Sequence, residues 1–170
     1  MGDPMAPSER KGNSEGGGIM EDRFVAEPML GKLAKWLRLL GHDVLYQRSY
    51  EEEELTRLLG GGRRLVSRRT AAQVLHPGVL LLRSDHVSGQ LRELKEKGGL
   101  QLDRSRFFTR CLLCNVTLTE ADLDSAKATL PEYVFHENPS RILFCPECGR
   151  FYWPGTHRAR MLKQLEDWGL

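Results

Sequence analysis

The sequence of 170 residues lacks long apolar runs, and this absence excludes a membrane-spanning helix. No stretch approaches the roughly 18 consecutive apolar residues that such a helix needs. The first residues also lack the apolar core of a signal peptide, and Asp3, Glu9 and Glu15 argue against a mitochondrial presequence. We therefore expect a protein of the cytoplasm or the nucleus, without a membrane partner.

Several familiar catalytic and nucleotide-binding motifs are absent as well. The sequence contains no P-loop, no dinucleotide-binding fingerprint and no arrangement typical of a Ser/His/Asp triad. The formal net charge of +2 and the pI near 8.4 are only mildly basic, and by themselves they do not indicate nucleic-acid binding. Function must therefore be sought in a small number of residues with metal-binding or phosphate-binding chemistry.

Cysteine is scarce, and all of it falls into two CxxC pairs. Two such pairs supply the four thiolates of a closed tetrahedral zinc site. Residues 115–144 separate the pairs, a longer gap than in a usual zinc finger, but the cost of loop closure rises only slowly with length. The alternative is two disulfides in a secreted protein. A site with four thiolates has no open position for catalysis, so we expect a structural zinc. The predicted ligands are Cys111, Cys114, Cys145 and Cys148.

Composition divides the chain into four segments. Residues 1–22 are rich in Gly, Pro, Ser and charge, which predicts a disordered tail. Residues 23–103 alternate strands with helices, which predicts an α/β domain whose parallel sheet is covered on both faces. Residues 104–163 form the predicted zinc ribbon, and residues 164–170 a C-terminal tail. The predicted strands are RFVA (23–26), DVLY (43–46), RLVS (64–67) and VLLL (79–82), and the predicted helices cover 30–40, 51–59, 70–75 and 87–97.

Acidic residues follow three of the predicted strands. Glu27 follows the first strand, the run Glu51–Glu54 begins the second helix, and Asp85 follows the fourth strand. In open α/β sheets, ligands bind beyond the carboxyl ends of the strands. Carboxylates that meet there would bind Mg²⁺ or Mn²⁺ and could support hydrolysis of a phosphodiester. The alternative for Glu51–Glu54 is a solvent-exposed helix start.

Basic and aromatic side chains are interleaved around the cysteines, a mixture that suits single-stranded RNA. Arg110 and Arg158 are candidate contacts in this region. Lys35 and Arg38 belong to a basic stripe on the first helix, and Arg68 follows the third strand. The alternatives are that the aromatic residues form the core of the ribbon and that the basic stripe is a solvent-exposed helix face.

Four segments carry a family pattern: FVAEPMLGKLAKWLRLLGHDVLY, LVSRR, RCLLCN and FCPECGRFYWPGTHRARM. Together they resemble the Mut-seven C-terminal RNase domain family, and the resemblance extends from about Phe24 to Met161. It implies a PIN-like α/β/α nuclease fold followed by a zinc ribbon. The family also occurs as the C-terminal module of animal Mut-seven-like 3′–5′ exonucleases.

The resemblance implies a catalytic Mg²⁺ or Mn²⁺ held by Glu27, by one of Glu51–Glu53 (taken as Glu52), and by Asp85. Two positions depart from the family pattern. Glu27 stands where the family has an aspartate, and Arg69 stands where the family segment LLTRD has its acid. Because an arginine keeps its charge, Arg69 could pair with Glu27 or bind a phosphate. Either role weakens a mechanism that uses two metal ions.

Three functions are compatible with these features. The first is metal-dependent hydrolysis of single-stranded RNA by a nuclease-family module with a degraded active site. The alternative is a non-catalytic RNA-binding or docking module of a Mut-seven-like exonuclease, with a protein partner in RNA processing. A third is a zinc-ribbon module that contacts proteins and no RNA.

Overall fold

The computed structural model describes residues 22–138 and 140–170. Apart from Asp22, the tail predicted for residues 1–22 lies outside the described residues. None of the helices in the described part of the chain is both long and apolar enough to cross a bilayer.

Four strands form a parallel sheet in the order β2-β1-β3-β4. The central strand β1 is apolar throughout its inner part, and Phe24, Val25 and Ala26 are fully buried. This is the composition expected of a strand that is covered on both faces. The strands are β1 (Arg23–Ala26), β2 (Asp43–Tyr46), β3 (Arg64–Ser67) and β4 (Leu80–Leu81).

Helices cover both faces of this sheet. Side chains alternate between the two faces along each strand, so each face presents apolar residues that helices can bury. Phe24 and Val66 pack against the first and fourth helices, whereas Val25 and Leu65 pack against the second and third. The predicted α/β/α fold is therefore confirmed. The helices are α1 (Gly31–Leu39), α2 (Glu52–Gly60), α3 (Thr70–Leu75) and α4 (Val87–Glu96).

Helix α1 ends at a glycine that the fold requires. Gly41 has a φ of 89°, and the N–H of His42 donates to the carbonyl of Leu37 across the helix end at 2.9 Å. A Cβ atom at Gly41 would lie 2.4 Å from the carbonyl oxygen of Arg106. Only glycine combines this backbone conformation with this close approach.

A second, antiparallel sheet carries the cysteines, in the order β5-β6-β7. Its middle strand places Phe144 opposite Phe151, with ring centroids 5.2 Å apart. Two short helices occupy much of the long gap between the cysteine pairs. The elements are β5 (Thr119–Glu120), α5 (Leu123–Thr129), α6 (Glu132–Glu137), β6 (Leu143–Phe144) and β7 (Phe151–Tyr152).

The last helix, α7 (Thr156–Asp167), joins the ribbon to the α/β core. Leu165 is buried in the core beneath the parallel sheet, and the ring of Trp168 packs against Trp36 at 4.7 Å. The expected boundary between residues 163 and 164 thus lies inside a helix. Of residues 164–170, Leu165, Trp168 and Leu170 pack against the core. The other domain boundaries stay predictions.

Candidate functional site

The four cysteines lie on two turns with the same backbone geometry. In each turn the N–H of the second cysteine points to the sulfur of the first, at 3.3 Å for Cys114 and 3.5 Å for Cys148. The next residue, Asn115 or Gly149, donates its N–H to the carbonyl of the first cysteine at 2.9 Å. Both of these residues have positive φ angles, 69° and 72°. Gly and Asn are the residues that most readily adopt this conformation.

The sulfur positions fit a tetrahedral metal ion. All four Sγ atoms lie within 4.8 Å of one another, and those of Cys111 and Cys148 are 3.8 Å apart. Zinc–sulfur bonds of about 2.3 Å at tetrahedral angles place the sulfur atoms about 3.8 Å apart. The four thiols are unbridged, unlike in the disulfide alternative. They could hold a structural metal such as zinc, and a fourfold thiolate site leaves no position for a substrate.

Tyr152 supports one of these sulfurs from outside the ligand set. Its hydroxyl lies 3.1 Å from Sγ of Cys111. Burial alone would raise the pKa of Cys111, but hydrogen bonds from the Cys114 N–H and from Tyr152 lower it to about 6. Burial raises the pKa of Tyr152, so its hydroxyl stays protonated and can donate. The thiolate form of Cys111 is therefore favoured at neutral pH, whereas burial raises the pKa values of Cys114 and Cys145.

Hydrogen bonds connect the first cysteine turn to β2, the edge strand of the parallel sheet. Arg38 donates to the carbonyl oxygens of Leu112 at 2.9 Å and Leu113 at 2.7 Å. The same guanidinium donates twice to the carbonyl of Val44, at 2.9 and 3.0 Å. Asn115 accepts from the Val44 N–H at 2.9 Å. The ribbon thereby covers the outward-facing polar groups of β2, which would otherwise form an open sheet edge.

Two of the predicted RNA contacts help to join the ribbon to the α/β domain. Arg38 is only 6% exposed, and it does not share the solvent-exposed face of Lys35. Because its guanidinium satisfies backbone carbonyls in the interior, Arg38 is not presented to a phosphate, which corrects its expected role. Arg110 donates to the carbonyl oxygens of Gly41 at 3.2 Å and Asn115 at 2.9 Å. Arg110 is half-buried, and its contact with RNA stays a prediction.

At the carboxyl edge of the sheet, Glu27 has close partners. Its side chain is 12% exposed and accepts a hydrogen bond of 2.5 Å from the hydroxyl of Ser67 on the neighbouring strand. Ser67 in turn accepts from the N–H of Arg69 at 2.9 Å. The guanidinium of Arg69 lies 3.9 Å from Glu27, and it is 65% exposed. Arg69, which stands at the position of an expected acid, therefore faces Glu27 with its positive charge.

The other two candidate acids lie next to basic side chains. Asp85 forms an ion pair with Arg68, and Glu52 lies 3.8 Å from Nε2 of His76. Asp85 and Glu52 are both more than two-thirds exposed. Across residues 22–138 and 140–170, the cysteines are the one group of three or more ligands close enough to hold a metal ion. The carboxylates are distributed along the edge without forming a second such group.

The other three predicted RNA contacts are differently placed. Lys35 is exposed on α1, and Arg158 lies with its guanidinium carbon 4.5 Å from the centroid of the Phe108 ring. The ring holds the guanidinium in place by a cation–π contact. Arg68, the third, has its charge partly neutralised by Asp85.

A family model, that of the Mut7-C RNAse domain, matches residues 22–165. The chain belongs to this family. No curated protein and no solved structure matches the chain. The Mut7-C RNAse domain makes the chain a nuclease-family module, and the resemblance drawn from the sequence is confirmed.

Two polar residues of this Mut7-C domain were not singled out from the sequence. Ser67 connects Glu27 to the backbone of Arg69, and Asn115 connects the first cysteine turn to Asp43 and Val44. Both lie next to residues that the motifs had marked, in LVSRR and in RCLLCN. A polar residue that ends an apolar strand, or follows a CxxC pair, is the local signal that could have identified them.

Proposed function

We propose that this Mut7-C domain binds single-stranded RNA without cleaving it, as a docking or RNA-binding module for RNA processing. The observation that carries the proposal is the position of Arg69, 3.9 Å from Glu27. Its fixed positive charge stands where the family pattern has a metal-binding aspartate.

The charge of Arg69 affects metal binding more than it affects the stability of the fold. An ion pair with one solvent-exposed partner and a separation of 3.9 Å, such as Arg69–Glu27, stabilises the fold by only about 0–1 kcal/mol. A divalent ion held by Glu27 at about 4 Å from the guanidinium, however, would be repelled by about 2 kcal/mol even in water-like surroundings. Replacing the expected anion by a cation also removes a ligand. Both effects disfavour Mg²⁺ or Mn²⁺ at this edge.

The same positive charges suit an RNA ligand. Nucleic-acid binding accompanies the nuclease family of the domain, and the exposed Lys35 and the ordered Arg158 can bind phosphates. The exposed Arg69 could do the same. A module that keeps phosphate-binding cations while its acids are paired is suited to holding RNA for another active site.

Metal-dependent cleavage is the second candidate, and one observation favours it. Glu27 is largely buried at the end of the central strand, hydrogen-bonded to Ser67 rather than solvated. A carboxylate in such a place is typical of a metal-binding edge. An open site would, however, require Arg69 to move away from Glu27.

The test is one assay that measures RNA binding and RNA cleavage together. Zinc-loaded protein is incubated with labelled single-stranded RNA and Mn²⁺, as wild type, Glu27→Ala and Arg69→Asp. Arg57→Asp is the matched control, because Arg57 is an exposed arginine on α2. We expect the wild type to bind in a salt-dependent manner and not to cleave. Cleavage gained only by Arg69→Asp would identify that residue as the block.

Cleavage by the wild type that Glu27→Ala abolishes would overturn the proposal and establish the enzyme. Absence of RNA binding in every protein of the series would leave the protein-interaction module.

A further inference from the structure

Two adjoining cavities form one groove across the ribbon and the helices α1 and α7. Their volumes are about 470 and 630 Å³. The two cavities adjoin, because they share six of their lining residues. The shared residues are Leu112, Phe151, Tyr152, Trp153, His157 and Met161.

The groove carries positive charge at both ends. Lys32, Lys35 and Arg150 line the larger cavity, and all three are exposed. Arg141 and Arg158 line the smaller one. Among the described residues that line the two cavities, Glu137 is the one carboxylate. The chain as a whole has a net charge of only +2, so this concentration of cations is local.

An aromatic ring stands between the two charged ends. Trp153 is 37% exposed, and its Nε1 would lie 3.0 Å from a Cβ atom built on Gly155. Contact with the glycine backbone holds the indole in place while part of the ring stays open to solvent. Tyr133, 66% exposed, provides a second ring at the far side of the smaller cavity.

We infer that single-stranded RNA lies along this groove, with a base stacked on Trp153 and with phosphates on Lys35 and Arg150 at one end and on Arg158 at the other. The inference rests on the proposed function and adds the binding surface to it. Exposed rings between cations bind unpaired bases, which have free faces. A duplex offers no free base face, and a run of acidic side chains has no planar ring to stack on the indole.

The groove is separate from the carboxyl edge of the parallel sheet. None of Glu27, Glu52 and Asp85 lines either cavity. RNA bound in the groove would therefore contact the ribbon and α1 instead of the paired acids. This placement agrees with a module that holds RNA rather than one that cuts it.

The experiment measures the anisotropy of a labelled oligouridine over a range of salt concentrations, with the full zinc-loaded chain. We expect Trp153→Ala to weaken binding about tenfold, since each base stacked on an aromatic ring contributes substantially. Trp153→Phe should restore most of the affinity. Lys35→Ala and Arg150→Ala should each reduce the slope of log K against log salt by about 0.7. Lys95→Ala, an exposed lysine on α4, is the matched control.

Wild-type affinity in all of the groove variants, with salt-dependent binding retained, would overturn the groove while leaving the proposed function intact. Absence of binding by the wild type would overturn both. Equal binding of polyglutamate that depends on Lys35 and Arg150 but not on Trp153 would assign the groove to an acidic protein partner and overturn the RNA inference.

Discussion

Arg38 and Asn115 satisfy both backbone polar groups of the same residue, Val44. Arg38 donates to its carbonyl oxygen at 2.9 and 3.0 Å, and Asn115 accepts from its N–H at 2.9 Å. Val44 lies on the edge strand β2, so the side chains of Arg38 and Asn115 make the hydrogen bonds that a neighbouring strand would otherwise make. Because Asn115 follows the first CxxC pair, the metal-binding turn and the parallel sheet are directly joined.

Replacing Arg38 by methionine should lower the free energy of unfolding by about 3 kcal/mol. The change leaves three carbonyl oxygens, those of Val44, Leu112 and Leu113, without their donor, and each such loss is costly inside a protein. Urea denaturation of the zinc-loaded protein measures this change in the free energy of unfolding. Lys35→Met, at an exposed position of the same helix, should change stability by no more than about 0.5 kcal/mol. Equal effects of the two substitutions would contradict the structural role of Arg38.

Asn115→Gly separates the two reasons for an asparagine at this position. If only the φ of 69° mattered, glycine would relieve strain and stabilise the protein. We expect a loss of about 1–2 kcal/mol instead, because the bonds to Val44 and Asp43 disappear. Urea denaturation of the zinc-loaded protein measures this loss as well. Gly149→Asn, at the matching position of the second turn, has open space around its Cβ and should be tolerated with a smaller loss. A stabilised Asn115→Gly protein would disprove the account.

Removing the metal should loosen the edge strand before the centre of the sheet. The Val44 N–H is held by Asn115 in the metal-binding turn, whereas the Val25 backbone is paired on both sides within the sheet. Because a structural metal contributes directly to folding, a chelator should speed hydrogen exchange at Val44 more than at Val25. Mass spectrometry of the untreated protein should find one zinc ion per chain. Unchanged exchange at Val44 after chelation would show that the ribbon and the sheet are independent.

Asp43 gives the stability a defined pH dependence. Burial alone would raise the pKa of Asp43, but hydrogen bonds from Arg63 and Asn115 hold it below its ordinary value. A lowered folded-state pKa stabilises the protein above the unfolded value of about 3.9, and this contribution disappears as the pH falls through the folded value. The stability difference between wild type and Asp43→Asn should thus be constant near neutrality and shrink below about pH 4. A difference that grows on acidification would contradict the assignment.

Local patterns predicted most of the fold. The strands at residues 23–26, 43–46 and 64–67 occur at the predicted positions, because each is a short apolar run between turn or helix signals. The cysteine cluster followed from spacing alone. The role of Arg38 could not be predicted, since its partners Leu112 and Leu113 are 74 and 75 residues away. Helical spacing places Arg38 beside Lys35, and only the tertiary fold covers it.

The C-terminal segment shows a different limit. Leu165, Trp168 and Leu170 fall within the predicted C-terminal tail of residues 164–170, yet they pack against the core. Their spacing of three and two residues could have indicated a packed helix end. The ion pair of Asp85 with Arg68 was also inaccessible, because it depends on how the loops after β3 and β4 meet.

The central claim is that the carboxyl edge of the sheet does not hold a catalytic metal ion. The most direct measurement is electron paramagnetic resonance of Mn²⁺ titrated into the zinc-loaded wild type, since it does not depend on choosing a substrate. We predict that the signal of free Mn²⁺ stays undiminished by the wild type and decreases with Arg69→Asp. Binding of Mn²⁺ by the wild type that is lost in Glu27→Ala would contradict the account.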